Sequence, residues 1–429
     1  MKDEKKIGTD PYKGVRDFYP EEMAAQKRIF GVMAATAEKF GYVEYGASVL
    51  EPAELYRAKS GEEIVSEQTY TFIDRGEREV TLRPEMTPTV ARMVAARKRE
   101  LSFPLRWYSI PNLFRYEQPQ RGRLREHWQL NVDLFGADGV AADAEVISLA
   151  HSIMTAFGAK QQDFEIRVNN RKLLNFILGD YLALGTDESH KISKLIDRKD
   201  KMSAEDFQKQ TGEILGGKAE KFAALWNSKP ESWPAEIKAS EGWIEREQLC
   251  STLAGRGITN VIADQDLVRG FDYYTGNIFE VFDTDPKNRR ALFGGGRYDN
   301  LTALFGGDAV PAVGFGMGDV TIRDFLETHG LMAEYRSPTD LCLCVASPEA
   351  QEAAEGLAGR LRANGLNVAV SIGGKKVGDQ IKAADKQKIP FIAVIGDDEI
   401  ASKKYKIKNL KTGEESEGAE NAIAALIKK

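Results

Sequence analysis

Cysteine and histidine are scarce: the 429 residues hold three of the first and four of the second. Three thiols cannot build a disulfide framework, and four scattered imidazoles lack the spacing of a zinc site. Cys342 and Cys344, two apart in DLCLCVA, fall on one face of a strand with no further Cys or His nearby, so buried reduced thiols are expected there rather than a metal or redox pair. No apolar run approaches the roughly 20 residues that span a bilayer. The opening MKDEKKIGTD is charged where a signal peptide needs an apolar stretch, which predicts a cytoplasmic chain. A large excess of either charge is also missing. The net charge of −6 neither advertises nor excludes a polyanionic partner, because such binding depends on local patches. Residues 339–429 carry +1 and the remainder −7. Within the former, Lys403, Lys404, Lys406, Lys408 and Lys411 form a basic stripe, whose plainer reading is a solvated edge strand. The phosphate-binding pattern GxxxxGK[ST] is absent, both around GGG at 294–296 and around GGKK at 373–376.

What is present is ordinary globular composition, with 42% hydrophobic and 29% charged residues, in a chain long enough for two or three domains. Pro20 opens a helical pattern that Gly41 closes. From there to about residue 136 strands dominate, which predicts an α+β core with antiparallel pairing and helices packed on one side. Residues 171–260 turn helical and polar before strand text resumes, as an inserted module would. After the polar stretch AEYRSPTD, strands and helices alternate, predicting a small α/β domain with a largely parallel sheet. The expected organisation is a core in two parts, 1–170 and 261–335, a helical insertion at 171–260, and a final domain at 339–429.

Four segments carry polar residues where apolar ones would suffice for folding. In LVRGFDYYTGNIFEVF at 267–282, Arg269 and Asp272 precede the adjacent Tyr273 and Tyr274 in what reads as an interior strand. A guanidinium is costly to bury alone and must meet an anion. In LFRYEQPQRGRLREHWQLNVDLF at 113–135, two strands flank a loop rich in arginine. Alternation puts Arg115 and Glu117 on one face of the first strand, and Gln129 and Asp133 on one face of the second. Such a hairpin suits a ligand that is phosphate at one end and cationic at the other, although a salt-bridged surface hairpin fits this segment about as well. TLRPEMTPT offers Glu85 and Thr87 on a shared face, and ALFGGGRYDNL sets three glycines before Arg297 and Tyr298. The glycines of GFGMG at 314–318 are expected to let a strand pack closely on a helix.

Together with KGVRDFYP near the start, these segments resemble the class II aminoacyl-tRNA synthetases, and specifically the histidyl-tRNA synthetase family, over nearly the whole length. LVRGFDYYTG with GGGRYDNL is the most specific element. The resemblance implies an α+β catalytic core on a mixed, mainly antiparallel six-stranded sheet, a helical insertion that contacts tRNA, and a C-terminal α/β domain of the anticodon-binding type. It implies a reaction in which ATP, with Mg2+, activates L-histidine before transfer to tRNA(His), in a cytoplasmic homodimer. Arg115 and Arg269 would be the catalytic pair beside the α-phosphate and the histidine carboxylate. Glu85, Met86, Thr87, Gln129 and Asp133 would surround the amino group and backbone of histidine, and Tyr273, Tyr274 and Tyr298 its side chain. Arg115, Glu117, Arg123 and His127 would hold ATP. Three positions depart from the family pattern. Thr321 stands where an arginine usually stacks on adenine, with Arg323 about 200° round the helix from the needed direction. His127 replaces an aromatic, and Ser48 a proline. Two other readings share parts of the pattern: a non-catalytic regulatory subunit of ATP phosphoribosyltransferase, and an unrelated ATP-dependent ligase.

Overall fold

The computed structural model describes residues 8–57, 68–268, 273–288 and 290–427, with Asp200 described in its backbone alone. The chain forms two compact units, Met1–Met332 and Ala333–Lys429.

The first unit is organised by one sheet. Its strands are β1 (Val43–Glu44), β5 (Leu105–Ser109), β6 (Asn112–Phe114), β7 (Glu126–Phe135), β8 (Phe164–Asn170), β9 (Val261–Ala263), β10 (Asn277–Asp283), β11 (Ala291–Arg297) and β12 (Ala312–Gly318). The order is β1-β5-β7-β12-β11-β10-β8-β9, with β6 beside the first part of β7. The six strands from β5 to β8 pair antiparallel, while β1 and β9 add parallel edges. The sheet therefore has nine strands rather than six. The six expected ones form its antiparallel centre, and the three extra strands span only two or three residues each, too few to leave a period of two in the sequence. Three further strands, β2 (Leu50–Pro52), β3 (Tyr70–Ile73) and β4 (Glu79–Leu82), form a separate sheet in the order β2-β4-β3.

Alternation gives the large sheet two unlike faces. Leu130, Val132 and Leu134 of β7, Val313, Phe315 and Met317 of β12, Phe279 and Val281 of β10, and Ile166 and Val168 of β8 are buried in one cluster. Helices Pro20–Lys39, Val140–Ala156, Glu241–Gly255 and Asp319–Thr328 cover it. Each such side chain contributes roughly 1.5–3 kcal/mol on burial. The opposite face carries Gln129, Asn131 and Asp133, and across from them β12 presents only glycines: Gly318, Gly316 and Gly314 are their register partners. These glycines serve strand-to-strand packing, not the strand-on-helix packing expected. A Cβ at Gly314 would overlap the Val132 carbonyl and lie 2.6 Å from Asp133 Oδ1, and one at Gly316 would lie 2.7 Å from the Gln129 side chain.

Between Asn170 and Gly255 a run of short helices builds its own core from Leu173, Ile177, Leu195, Phe222, Trp226 and Trp233. Phe222 and Trp226 stack with centroids 4.9 Å apart.

In the second unit, strands β13 (Leu341–Val345), β14 (Val368–Val370), β15 (Phe391–Ile395), β16 (Lys404–Asn409) and β17 (Glu415–Ala419) take the order β14-β13-β15-β16-β17. The first three pair parallel and the last two antiparallel. Cys342 and Cys344 are buried in β13. The lysine stripe is not an edge strand. β16 is paired on both sides, and two of its three lysines meet acidic partners on β17: Lys406 registers with Glu417 and Lys408 with Glu415, while Lys404 registers with Ala419. Lys408 Nζ lies 3.1 Å from Glu415 Oε1.

Candidate active site

The polar face of the sheet is closed at one end by the arginine loop. β6 stops at Phe114, so Arg115 and Glu117 lie in the loop beyond it rather than on a strand face, and the chain reverses at Gly122 with φ +76°. The base of the loop stays paired, with the Arg115 amide donating to the Arg125 carbonyl at 2.9 Å. Arg115 Nε donates to the Pro84 carbonyl at 2.9 Å, and no other partner of this guanidinium occurs among the described residues. His127 of β7 lies beside it. Burial, then Arg115 and Arg16, push the imidazole pKa down to about 3, so the ring is neutral at physiological pH. Arg16 itself is committed to Asp319 at 2.7 Å. Arg123 Nε lies 3.6 Å from Glu117 Oε2, an oxygen that is buried without a hydrogen bond.

At the other end three tyrosines cluster. Tyr273 meets Tyr274 at 4.9 Å and Tyr298 at 5.9 Å between centroids. The Tyr298 hydroxyl donates to Asp133 Oδ1. Asp133 Oδ2 is buried with no hydrogen bond, and the buried hydroxyls of Tyr45 and Ser109 have only a loose approach to each other. Burial lifts the Asp133 pKa to about 7, against which the Tyr298 hydrogen bond pulls down. Burial, then the Asp133 charge, also raises the Tyr298 and Tyr45 phenols. Buried polar atoms without partners are rare in folded proteins. An unpartnered, buried carboxylate oxygen near the Tyr45 phenol marks a place where something polar binds.

TLRPEM joins the two ends. Glu85 follows β4 in a turn and Thr87 opens helix Thr87–Arg97, so they do not share a strand face as the spacing suggested. The Tyr273 hydroxyl donates to Glu85 Oε2 at 3.4 Å, Glu85 is nearly fully buried, and Met86 is buried beneath it. Pro84, one residue away, is the group that Arg115 grips. Gln129 lies between His127 and Asp133 on the same face of β7, over Gly316. Thus Arg115, His127, Gln129, Asp133, Glu85, Tyr273, Tyr274 and Tyr298 border one polar surface. Arg269 and Asp272 lie outside the described residues.

Other features of these segments differ from a simple strand reading. Tyr273 and Tyr274 belong to a turn before β10 rather than to a strand. Arg297 is clamped by Asp143 at 2.6 Å and Asp299 at 3.0 Å. The Thr321 hydroxyl is bound to the Leu292 carbonyl at 2.5 Å, and the loop rests on its methyl: a Cβ at Gly122 would lie 3.6 Å from Thr321 Cγ2. Arg121 then reaches Asp324 at 3.9 Å and Asn288 at 3.1 Å. Tyr45, Ser109 and Arg16 were missed by sequence reasoning. Their positions carry no local signal, whereas the glycine alternation of GFGMG facing the polar alternation of QLNVD was visible and was misread.

Comparison with known proteins decides the family. The family model described as Histidyl-tRNA synthetase matches residues 14–320. The chain belongs to the histidyl-tRNA synthetase family. A model described as Anticodon binding domain matches residues 340–429. Among family members, the histidine–tRNA ligase of Leptospira biflexa is 41% identical over 418 residues, covering 95% of this chain and 94% of the relative. That of Thermoplasma volcanium is 38% identical, covering 94% of each. The apo S. aureus histidyl-tRNA synthetase superposes with a TM-score of 0.73 at 26% identity, covering 98% of this chain and all of the other. The Nostoc enzyme reaches a TM-score of 0.83 at 23% identity, covering 99% of each, a likeness of fold.

Proposed function

We propose that this chain joins L-histidine to tRNA(His) in two steps on the polar face of the sheet. An oxygen of the histidine carboxylate attacks the α-phosphorus of ATP, a new P–O bond forms, the bond to the bridging oxygen breaks, and pyrophosphate leaves. A terminal ribose hydroxyl of the tRNA then attacks the carbonyl carbon and loses its proton, and AMP leaves. An anionic nucleophile approaches an anionic phosphate in the first step, so fixed positive charge that follows the transition state is the main device. Arg115 fills this role: it is oriented by Pro84, its remaining nitrogens have no partner among the described residues, and it lies beside His127. Arg269 is assigned the second charge by the family pattern alone.

The observation that carries the reading is the buried, unpartnered Oδ2 of Asp133 near the Tyr45 phenol. An imidazole offers one donor and one acceptor, and a buried carboxylate beside hydroxyls matches both. Asp133 therefore faces the ring of histidine rather than its amino group. Glu85, Thr87 and Gln129 remain for the ammonium and backbone, and a carboxylate is the group that pairs an ammonium. Neutral His127 offers a flat face for adenine, and Arg123 and Glu117 complete the nucleotide side. Mg2+ would come with the nucleotide, held chiefly by phosphate and water. No cluster of three acidic or imidazole groups occurs among the described residues, and Glu117 Oε2 is the buried carboxylate oxygen free of a hydrogen bond there. The helical region 171–260 and the anticodon-type unit are assigned to tRNA, and Val43, Leu50, Phe72 and Ile73, all exposed, to a cytoplasmic homodimer.

Histidine-dependent exchange of pyrophosphate into ATP, followed by charging of bulk tRNA, tests the whole. The regulatory-subunit reading gains support from a Bacillus halodurans structure titled as an ATP phosphoribosyltransferase regulatory subunit/histidyl-tRNA synthetase, with a TM-score of 0.73 and 25% identity. It predicts no exchange. Exchange without charging would point to another ATP-dependent ligase.

A further inference from the structure

We infer that residues 12–16 act as a strap that sets Arg115 for the nucleotide, with Gly14 and Tyr12 as positioning residues and Arg125 as the intermediary. The inference rests on the reading of Arg115 as a nucleotide ligand.

The contacts run in one direction. The Gly14 carbonyl accepts from the Arg125 amide at 2.7 Å, and the Arg125 carbonyl accepts from the Arg115 amide at 2.9 Å. The backbone of Arg115 is thus held through Arg125 by the strap, while its side chain is held by Pro84. Three of the five N–H donors of Arg125 are taken up in this arrangement. Nη1 donates to the Tyr12 hydroxyl at 2.9 Å and to the Lys13 carbonyl at 3.4 Å, and Nε donates to the Glu117 carbonyl at 3.1 Å. Its guanidinium lies 4.2 Å from the ring centroid of Tyr116 and 5.4 Å from that of Tyr12, contacts that favour a fixed cation. Tyr12 also shares a hydrogen bond with Tyr70 of β3, whose phenol burial and this bond push up to about 12.

The strap is anchored on its far side by Arg16, bound at 2.7 Å to the buried Asp319. The same carboxylate accepts from the Trp128 amide of β7 at 2.9 Å and from Gln26 at 2.6 Å. Both ends of the strap are therefore tied to elements that border the site. Glycine is required at position 14 on two counts. Its φ is +89°, and a Cβ there would lie 2.8 Å from both Arg125 Cγ and Pro119 Cγ, inside the loop it holds.

Pyrophosphate exchange on the full chain tests this, with histidine and ATP varied separately. Gly14→Ala and Tyr12→Ala are expected to raise KM for ATP about tenfold and about fivefold and to leave KM for histidine within about twofold, with Tyr12→Ala leaving the thermal unfolding midpoint near that of wild type. Tyr12→Phe, which keeps the ring and loses the hydroxyl, should fall between Tyr12→Ala and wild type. Titration with a non-hydrolysable ATP analogue should weaken in the same order. Folded Gly14→Ala and Tyr12→Ala variants with an unchanged KM for ATP overturn the strap, and so does a parallel rise of both KM values, which is the mark of general loosening. A wild type without histidine-dependent exchange removes the functional reading first and the strap with it; an active wild type with indifferent variants removes the strap alone.

Discussion

Asp133 binds its proton more tightly in the folded protein than in the unfolded chain, since burial lifts its pKa from 3.8 to about 7. For a carboxyl group raised in this way, the stabilisation is complete below the unfolded value and is lost as pH climbs through the window from about 4 to 7. Asparagine at this position does not titrate. On going from pH 5 to pH 8, Asp133→Asn should therefore gain on wild type by on the order of 1–3 kcal/mol, measured by urea unfolding at both values. A constant gap at the two pH values would mean that the wild-type carboxylate is already ionised at pH 5. His127 behaves in the opposite sense: with its pKa pushed down to about 3, it stays neutral over the working range. The KM for ATP should then show no step between pH 5.5 and 8 from this ring, and His127→Phe should hold that KM within about threefold, because only a flat neutral surface is asked of it. A tenfold loss would assign His127 a hydrogen bond to the nucleotide instead.

At the scale of elements, β12 does the least visible work, since its glycines give Asp133 and Gln129 their space. The two positions differ in what a methyl would strike. At Gly314 the obstacle is the Val132 carbonyl, which cannot step aside, whereas at Gly316 it is the end of the Gln129 side chain. Gly314→Ala should therefore cost about 1–3 kcal/mol of stability. Gly316→Ala should leave stability near that of wild type and raise KM for histidine, as the Gln129 amide is pushed off its place; equal loss of stability in both would show that β12 cannot tolerate any side chain on this face. The polar half of this pairing, QLNVD, was legible because a ten-residue strand repeats its period several times, and the same holds for helix Pro20–Lys39. Tyr45 and Ser109 were not legible. They come to the Asp133 side of the sheet only after β1 has been laid beside β5 and β5 beside β7, where Ser109 registers with Asn131, and no local pattern encodes a register between distant segments. Arg115 was placed wrongly on a strand, because the period of two was carried past Phe114, where the chain already turns toward Pro84.

At the scale of the molecule, the hydrophobic clusters divide cleanly. Leu331 and Met332 still pack against the core of the large sheet, while every residue of the two clusters built on β13 to β16 lies at 341 or beyond. A unit that buries its own core can fold by itself, so residues 1–332 expressed alone should unfold cooperatively and run histidine-dependent pyrophosphate exchange with kcat and both KM values within about threefold of the full chain. Charging should suffer differently. Lys406 and Lys408 of β16 face Glu417 and Glu415 on β17, so the second unit does not offer a tRNA a bare basic stripe, and its loss should remove shape-specific contacts as well as charge. We expect kcat/KM for tRNA to fall about a hundredfold or more in the shortened chain, while isolated 333–429 folds but binds tRNA with only a shallow dependence on salt. Undiminished charging by residues 1–332 would show that the second unit contributes nothing to tRNA selection, and a steep salt dependence in the isolated unit would show that the β16 lysines are released from their glutamates to meet phosphate.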